Sequence, residues 1–205
     1  MSRMGLTLSY FSFRGRAEQI RLLLHFVGAS FEDRHVGREQ FGQIKRAGVQ
    51  ASYFGSLPVF EDDGFVLSQG PVIMNYVARK FGIAPDDPKL AAKAEAITLG
   101  AEDLRTKYFK IERKGEDEAR AAFLAGDWPK RWLPAFEGLL AQNGDHGVFV
   151  GDAPTQADIA VWDVLDAMLT YVPGASLAGH PRVEALHATI ASAPTLEEYL
   201  AARPE

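Results

Sequence analysis

The hydrophobic pattern of this chain changes at residues 83–88, and the change divides the molecule into two predicted domains. This segment reads Ile-Ala-Pro-Asp-Asp-Pro and has no hydrophobic periodicity, which is typical of a linker. Before it, strand-like and helix-like stretches alternate, whereas after it apolar residues recur at helical spacing. The pattern therefore predicts an α/β domain at residues 1–82 and an all-α domain at residues 89–205.

Within the first domain, the predicted order is strand, helix, strand, then a longer connection, a β-hairpin and a final helix. Asp63-Gly64 is typical of a hairpin turn, and Pro71 suits the first position of a helix. We expect strands at residues 4–9 and 31–36, a hairpin within residues 57–67, and helices at residues 16–28, 40–46 and 70–81. In the second domain we expect helical segments near residues 89–114, 117–141, 155–171, 181–192 and 195–202, with breaks at residues 126–129, 143–147 and 172–174.

Composition limits the classes of function. The 205 residues carry a formal net charge of −5, which argues against a nucleic-acid partner, and no apolar run is long enough to span a membrane. The five histidines lack metal-ligand spacing, so we expect no metal ion. We expect a cytoplasmic location, because the N-terminal residues contain no signal-peptide core. The chain contains no cysteine, so any sulfur chemistry must use a sulfur atom that a ligand brings.

The junction at residues 10–18 reads Tyr-Phe-Ser-Phe-Arg-Gly-Arg-Ala-Glu and carries an unusual set of polar groups. It places a tyrosine hydroxyl, a glycine turn and two arginines where a strand leads into a helix. The first turn of a helix has unpaired N–H groups and a partial positive charge. A phenol in that field can donate a hydrogen bond to an anion such as a thiolate. The alternative interpretation of Tyr10 is an ordinary tyrosine at the end of a strand.

Three segments in this order resemble cytosolic glutathione transferases: residues 10–18, residues 102–108 and residues 151–158. The first resembles the sigma class, which includes glutathione-dependent prostaglandin D synthase, and the second resembles pi- and sigma-class members. The resemblance covers nearly the whole chain. It implies a thioredoxin-like N-terminal domain, a helical C-terminal domain, glutathione as co-substrate, a small electrophile as second substrate, a role in detoxification and a homodimer.

The resemblance assigns activation of the glutathione thiol to Tyr10 and a supporting positive charge to Arg16. A free thiol has a pKa of about 8.5, and lowering it by about two units requires about 2.7 kcal/mol. One hydrogen bond to a charged group contributes about 1.5–3 kcal/mol, so one well-placed hydroxyl is nearly sufficient. Arg14 and Glu18 are expected to have structural roles.

The resemblance also implies how glutathione is held. Leu57-Pro58 is expected to be a cis-proline turn, at which the Leu57 backbone pairs with the cysteinyl unit; the alternative is a trans proline. Lys45 is expected to bind the glycyl carboxylate of glutathione. The alternative interpretation is a lysine that contacts only solvent. Asp103 is expected to reach the γ-glutamyl amine of a neighbouring subunit's ligand, with Gln69 on the same end. The alternative for Asp103 is a helix-surface acid.

Three positions depart from the family pattern. Gly70 stands where a serine usually holds the γ-glutamyl carboxylate, so only its N–H and the helix N-terminus remain. Phe41 replaces a tryptophan that donates to the glycyl end, and Ser56 replaces a longer Gln or Lys. At about 0.5–1.5 kcal/mol per lost contact, we expect affinity for glutathione weaker by about one to three powers of ten, or a remodelled site.

The second substrate is expected, by resemblance, between Tyr10 and the first helix of the second domain, where Phe13, Lys110 and Arg113 are candidate lining residues. If these cations line the site, anionic electrophiles are favoured; the alternative is a solvated helix face. Two alternatives to conjugation stay open: a catalytically weak or silent binding or structural protein, and a glutathione-dependent isomerase or peroxidase. Residues 155–158 predict a helix capping box with a structural role only.

Overall fold

The computed structural model describes residues 5–112 and 115–203. They form two compact units: one contains the chain up to Phe81 together with the segment that begins at Ala193, and the other contains Gly82–Ser192. The final segment thus belongs with the α/β unit. Helical periodicity does not report which unit a short last helix packs against, so the domain limits of 1–82 and 89–205 stay predictions drawn from the pattern.

The first unit is built on a four-stranded mixed sheet. Its spatial order is β2-β1-β3-β4, with β1 parallel to β2 and antiparallel to β3, and with β3 antiparallel to β4. The strands are β1 Leu6–Tyr10, β2 Phe31–His35, β3 Val59–Asp62 and β4 Phe65–Ser68. The predicted hairpin is confirmed, and Asp63 and Gly64 take the positive φ values that its turn requires.

Three helices follow these strands: α1 Glu18–Phe26, α2 Arg38–Ala47 and α3 Gly70–Lys80. The apolar positions of α1 and α3 pack with the sheet into a core that includes Leu8, Leu23, Phe60 and Ile73, all of them without solvent exposure. A single 3₁₀ turn, Gly15–Ala17, precedes α1, so the helix begins later than the sequence pattern predicts. The short loop between β1 and this turn carries several of the candidate site residues.

The second unit is helical throughout its regular structure. Its helices are α4 Pro88–Ile111, α5 Asp117–Ala125, α6 Leu133–Gln142, α7 Gln156–Tyr171 and α8 Pro181–Ala191, with a π-helical turn at Trp128–Trp132. Helix α7 is buried along most of its length and packs against α4. Two buried charges join these helices, because Arg105 Nη1 lies 2.7 Å from Asp163 Oδ2. The mixed first unit and helical second unit confirm the predicted fold class.

The predicted capping box of α7 is confirmed. Thr155 Oγ1 accepts a hydrogen bond from the Ala157 N–H at 3.2 Å, and Asp158 Oδ2 accepts one from the Thr155 N–H at 2.8 Å. Asp158 Oδ1 accepts a further bond from the Phe149 N–H at 2.9 Å. The buried carboxylate therefore also fixes the loop that precedes the helix.

The last helix, α9 Glu197–Ala202, belongs to the first unit. The Tyr199 ring stacks on His25 of α1 at a centroid distance of 4.2 Å. Burial lowers the pKa of His25, although the nearby carboxylates of Asp33 and Glu198 oppose the shift. No helix in the described parts of the chain has both the length and the apolar content needed to cross a membrane.

Candidate functional site

Strand register brings three predicted site residues to one end of the sheet. The pairing of β1 with β3 ends at Ser9 and Val59, and Val59 also pairs with Ser68 of β4. The next residues along these strands are Tyr10, Pro58 and Gln69. Because neighbouring strands lie about 4.8 Å apart, the three residues occupy adjacent positions at the same edge.

Tyr10 is only 6% exposed, and its hydroxyl group is held by the backbone that follows it. The Arg16 N–H donates a hydrogen bond to Tyr10 Oη at 3.0 Å. Since the hydroxyl accepts this bond, its own O–H is available to donate, and acceptance polarises that O–H toward a stronger donor. The phenol O–H can therefore donate a hydrogen bond to a further acceptor.

The turn around Gly15 explains why a glycine stands between Tyr10 and Arg16. Gly15 has a φ of +47°, and a Cβ atom there would lie 2.6 Å from Tyr10 Oη and 2.7 Å from the Phe13 ring. No side chain fits in that space without moving the hydroxyl. The absence of a side chain at this position is thus part of how Tyr10 is placed.

The Arg16 backbone also lies next to the start of α3. A Cβ atom at Gly70 would be 3.7 Å from the Arg16 carbonyl oxygen and 3.1 Å from Gln19 Nε2. The Gln19 amide, which is fully buried and donates to the same carbonyl at 3.5 Å, therefore occupies the space next to the missing serine side chain. Arg16 thus contacts Tyr10 through its backbone N–H, and its carbonyl oxygen faces the position of Gly70.

Gln69, which precedes α3, has a φ of +77° and a ψ of 110°. A non-glycine residue in this sparsely populated region is uncommon, and such residues concentrate at functional sites. Its side chain is exposed. The backbone is thus held in an unusual conformation at the residue that the family resemblance assigns to the glutamyl end.

A row of aromatic rings connects Tyr10 to Lys45. The Tyr10 and Phe11 centroids are 5.4 Å apart, as are those of Phe11 and Phe41, and both pairs meet edge to face. Lys45 Nζ lies 4.4 Å from the Phe41 centroid. Phe41, which has no N–H to donate, therefore holds the lysine through a cation–π contact.

Phe13 presents an apolar face beside this row. Its ring is half exposed, stacks on Phe11 at 5.6 Å and meets Tyr10 edge to face at 5.6 Å. An exposed aromatic ring in contact with the phenol can pack against an apolar ligand group.

The segment before β3 contains the Leu57–Pro58 peptide bond, which is cis as predicted. The turn before it is closed by Ser52, whose Oγ donates to the Ser56 carbonyl at 2.8 Å and accepts from the Ser56 N–H at 3.0 Å. Ser56 is thus fixed by its backbone, and its short side chain has no part in those two bonds.

The remaining predicted residues belong to the second unit. Asp103 and Lys110 are exposed on α4. Within residues 5–112 and 115–203, no ion pair joins Asp103 to Lys107. Arg113 lies outside the described residues.

The sequence interpretation missed Arg21, which organises the loop between Tyr10 and Gly15. Arg21 is 1% exposed, and its guanidinium donates to the carbonyls of Phe11, Phe13 and Arg14 at 3.1–3.3 Å. Its Nε donates to Asp33 Oδ2 at 2.8 Å. The available indication was a charged residue within the otherwise apolar run 20–24, because such a charge is buried only when it is paired.

Comparison with known proteins identifies the family. Residues 6–79 match the glutathione S-transferase N-terminal domain, and residues 102–203 match the C-terminal domain. Glutathione S-transferase P 2 of Bufo bufo is 34% identical over 197 residues, covering 96% of this chain and 92% of that protein. Glutathione S-transferase A3 of Homo sapiens is 31% identical over 196 residues, covering 94% and 86%. The Pi-class glutathione S-transferase structure of Onchocerca volvulus is similar with a TM-score of 0.87 at 28% identity, covering 97% and 93%.

The chain therefore belongs to the glutathione S-transferase family. Its enzyme class is that of a glutathione transferase, and glutathione is the co-substrate in this family. The predicted family, enzyme class and co-substrate are confirmed.

Proposed function

We propose that this chain conjugates glutathione to a small electrophile and that Tyr10 keeps the glutathione sulfur ionised. The observation that supports this most is the bond from the Arg16 N–H to Tyr10 Oη at 3.0 Å, which leaves the phenol O–H to donate to sulfur. The thiol proton passes to solvent, the thiolate accepts the Tyr10 hydrogen bond, and its electron pair forms the bond to the electrophilic carbon. The leaving group departs with the electron pair of the bond that breaks.

A single donor has nearly enough energy for this role. A hydrogen bond to a charged acceptor contributes about 1.5–3 kcal/mol, and each pKa unit corresponds to about 1.36 kcal/mol. A Tyr10 bond made only to the thiolate therefore lowers the thiol pKa by about one to two units. The Arg16 side chain is proposed to add positive charge nearby.

For the rest of glutathione, we propose a site along the same edge of the sheet. The Leu57 backbone next to Pro58 would pair with the cysteinyl unit, and Gln69 with the Gly70 N–H would hold the γ-glutamyl end. Lys45, kept in place by Phe41, would meet the glycyl carboxylate. Because Ser56, Gly70 and Phe41 do not supply the side-chain donors usual in the family, we propose weak binding of glutathione.

We further propose a homodimer in which Asp103 of one subunit reaches the γ-glutamyl amine bound by its partner. The first unit exposes large apolar side chains that a partner subunit would cover. They are Val49, Tyr53, Phe54, Phe65 and Val72. Asp103 is exposed, and within the described residues it forms no ion pair with Lys107. Its carboxylate is therefore available for the proposed contact with the amine.

Phe13, Lys110 and Arg113 are proposed to contact the second substrate, with Phe13 packing against its apolar part. Cationic neighbours would favour an anionic electrophile.

Sigma-class membership is proposed from the resemblance of residues 10–18. A glutathione-dependent isomerase or peroxidase is the alternative reaction, and it would use the same thiolate.

The proposed activity is tested with 1-chloro-2,4-dinitrobenzene, by comparing wild type with Tyr10→Phe. We expect Tyr10→Phe to lower kcat/KM about 10- to 100-fold, the factor that corresponds to one hydrogen bond to a charged group. Tyr76→Phe is the matched control, because it removes a hydroxyl that donates to Asp62 Oδ2 at 2.6 Å, at the other end of the sheet. Equal activity of wild type and Tyr10→Phe would contradict the proposal.

A further inference from the structure

We infer that the C-terminal segment, Ala193–Arg203, positions the loop that carries Tyr10, acting through Glu18 and Arg21. The inference deepens the proposed function and rests on the role of Tyr10 given there. It assigns to Tyr199 and Arg203 a positioning role in the reaction, although neither residue belongs to the site edge. Three successive contacts within the first unit carry the inference.

The first contact joins the C-terminal segment to α1. Tyr199 Oη donates a hydrogen bond to Glu18 Oε2 at 2.8 Å, and Arg203 Nη1 donates to Glu18 Oε1 at 3.4 Å. The stacking of Tyr199 on His25 fixes the direction of its hydroxyl group. Each oxygen of the Glu18 carboxylate thus receives a donor from the last eleven described residues of the chain.

The second contact is a buried ion pair between Glu18 and Arg21. Arg21 Nη1 lies 3.6 Å from Glu18 Oε2, and both side chains are 1% exposed. A buried charge that loses part of its pairing is strongly unfavourable, because water cannot replace the lost partner. The position of Glu18 therefore constrains that of the Arg21 guanidinium.

The third contact joins Arg21 to the loop. A guanidinium has five N–H donors, and here one bonds Asp33 while the others include bonds to the carbonyls of Phe11, Phe13 and Arg14. These carbonyls lie between Tyr10 and Gly15. The loop can move only if Arg21 moves or if several buried acceptors lose their donor.

The consequence concerns the Tyr10 hydroxyl directly. Its partner N–H, on Arg16, comes immediately after the loop that Arg21 holds. If Glu18 loses the donors of the C-terminal segment, it turns toward Arg21 and draws the guanidinium away from the loop carbonyls. The Arg16 N–H then shifts relative to Tyr10 Oη, and the phenol becomes a weaker donor to sulfur.

The test compares Tyr199→Phe, which keeps the ring and removes the hydroxyl, with Glu197→Gln on the same helix, whose exposed side chain is a matched control. The first readout is the apparent pKa of the bound glutathione thiol, taken from the pH dependence of kcat/KM for the electrophile at saturating glutathione. We expect Tyr199→Phe to raise it by about 0.5 unit, a loss of about threefold in kcat/KM below that pKa, with KM for glutathione changed less. Glu197→Gln should match wild type.

The second readout does not use activity: amide hydrogen exchange of residues 11–16, measured without glutathione. We expect faster exchange in Tyr199→Phe than in wild type, with Glu197→Gln unchanged. Arg203→Gln, which removes the longer of the two bonds to Glu18, should give a smaller change in the same direction. This variant keeps the inference testable if Tyr199→Phe does not fold.

The outcomes separate the two proposals. Wild type without a lowered thiol pKa would overturn the role of Tyr10, whereas altered exchange in Tyr199→Phe would still support the contact from the C-terminal segment to the loop. Unchanged exchange and unchanged pKa in Tyr199→Phe and Arg203→Gln would overturn the inference, even with an active wild type.

Discussion

At the scale of single residues, the position of the Tyr10 hydroxyl depends on two neighbours that differ in kind. Gly15 contributes by having no side chain, because a Cβ atom there would lie 2.6 Å from Tyr10 Oη. Arg21 contributes through bonds to the loop carbonyls. Tyr10 and Gly15 were recognisable in the sequence because they stand in one short segment. The role of Arg21 was not, since it depends on Asp33 and on backbone carbonyls that the fold brings close.

Gly15→Ala is predicted to lower kcat/KM by about tenfold or more, because the added methyl group must displace the hydroxyl or the Arg16 N–H bonded to it. Gly28→Ala is the matched control: Gly28 has a φ of +67°, but a Cβ atom there meets nothing within 4 Å. Both variants should unfold at lower temperature, since a left-handed alanine costs about 1–2 kcal/mol. Rates are compared well below both transitions, and an equal loss in the two variants would contradict the role of Gly15.

Gly70→Ser restores the family hydroxyl but is predicted to raise affinity for glutathione by less than about threefold, because its Cβ atom would crowd Gln19 Nε2 at 3.1 Å. The double variant Gln19→Ala with Gly70→Ser should bind about 3- to 10-fold more tightly than Gln19→Ala alone, as expected for one recovered hydrogen bond. Isothermal titration with glutathione measures all four proteins. A full gain from Gly70→Ser alone would show that Gln19 does not limit the site.

At the scale of elements, local patterns predicted what local forces determine. The Asp63-Gly64 turn and the box at the start of α7 depend on neighbours within a few residues, and both were predicted and found. The beginning of α1 was placed two residues early, because the 3₁₀ turn Gly15–Ala17 depends on the fit between Gly15 and Tyr10. The packing of α9 against α1 could not be predicted, because helical periodicity identifies an apolar face without identifying its partner.

Asp158→Ala is predicted to destabilise the protein by about 2–5 kcal/mol, since the N–H groups of Thr155 and Phe149 lose a buried acceptor and α7 loses half of its capping box. For a chain of this size that corresponds to a melting temperature lower by about 5–15 °C. Thermal unfolding followed by circular dichroism measures the change. Asp152→Ala, at an exposed position in the same loop, is the control and should melt as wild type.

At the scale of the whole molecule, the site is proposed to be complete only in a dimer. The first unit exposes apolar side chains, of which Phe54 is 71% exposed. Burial of such a ring against a partner subunit contributes about 1.5–3 kcal/mol. Asp103, on the other unit, is the residue that the proposed dimer would add to a neighbouring site.

Phe54→Glu is predicted to shift the protein from dimer to monomer, because a buried unpaired carboxylate is strongly unfavourable. Light scattering after size-exclusion chromatography measures the mass. Leu169→Glu, at a half-exposed position of α7, is the control and should leave the mass unchanged. A wild type that runs as a monomer of 22.5 kDa would contradict the dimer, and the role of Asp103 with it.

The most direct test of the account is the ionisation of glutathione on the protein. Thiolate formation is followed by its ultraviolet absorbance during a pH titration of the wild-type complex and of the Tyr10→Phe complex, each at saturating glutathione. We expect a thiol pKa about one to two units below that of free glutathione in the wild-type complex and a value close to that of free glutathione in Tyr10→Phe. Equal thiol pKa values in the two complexes would contradict it.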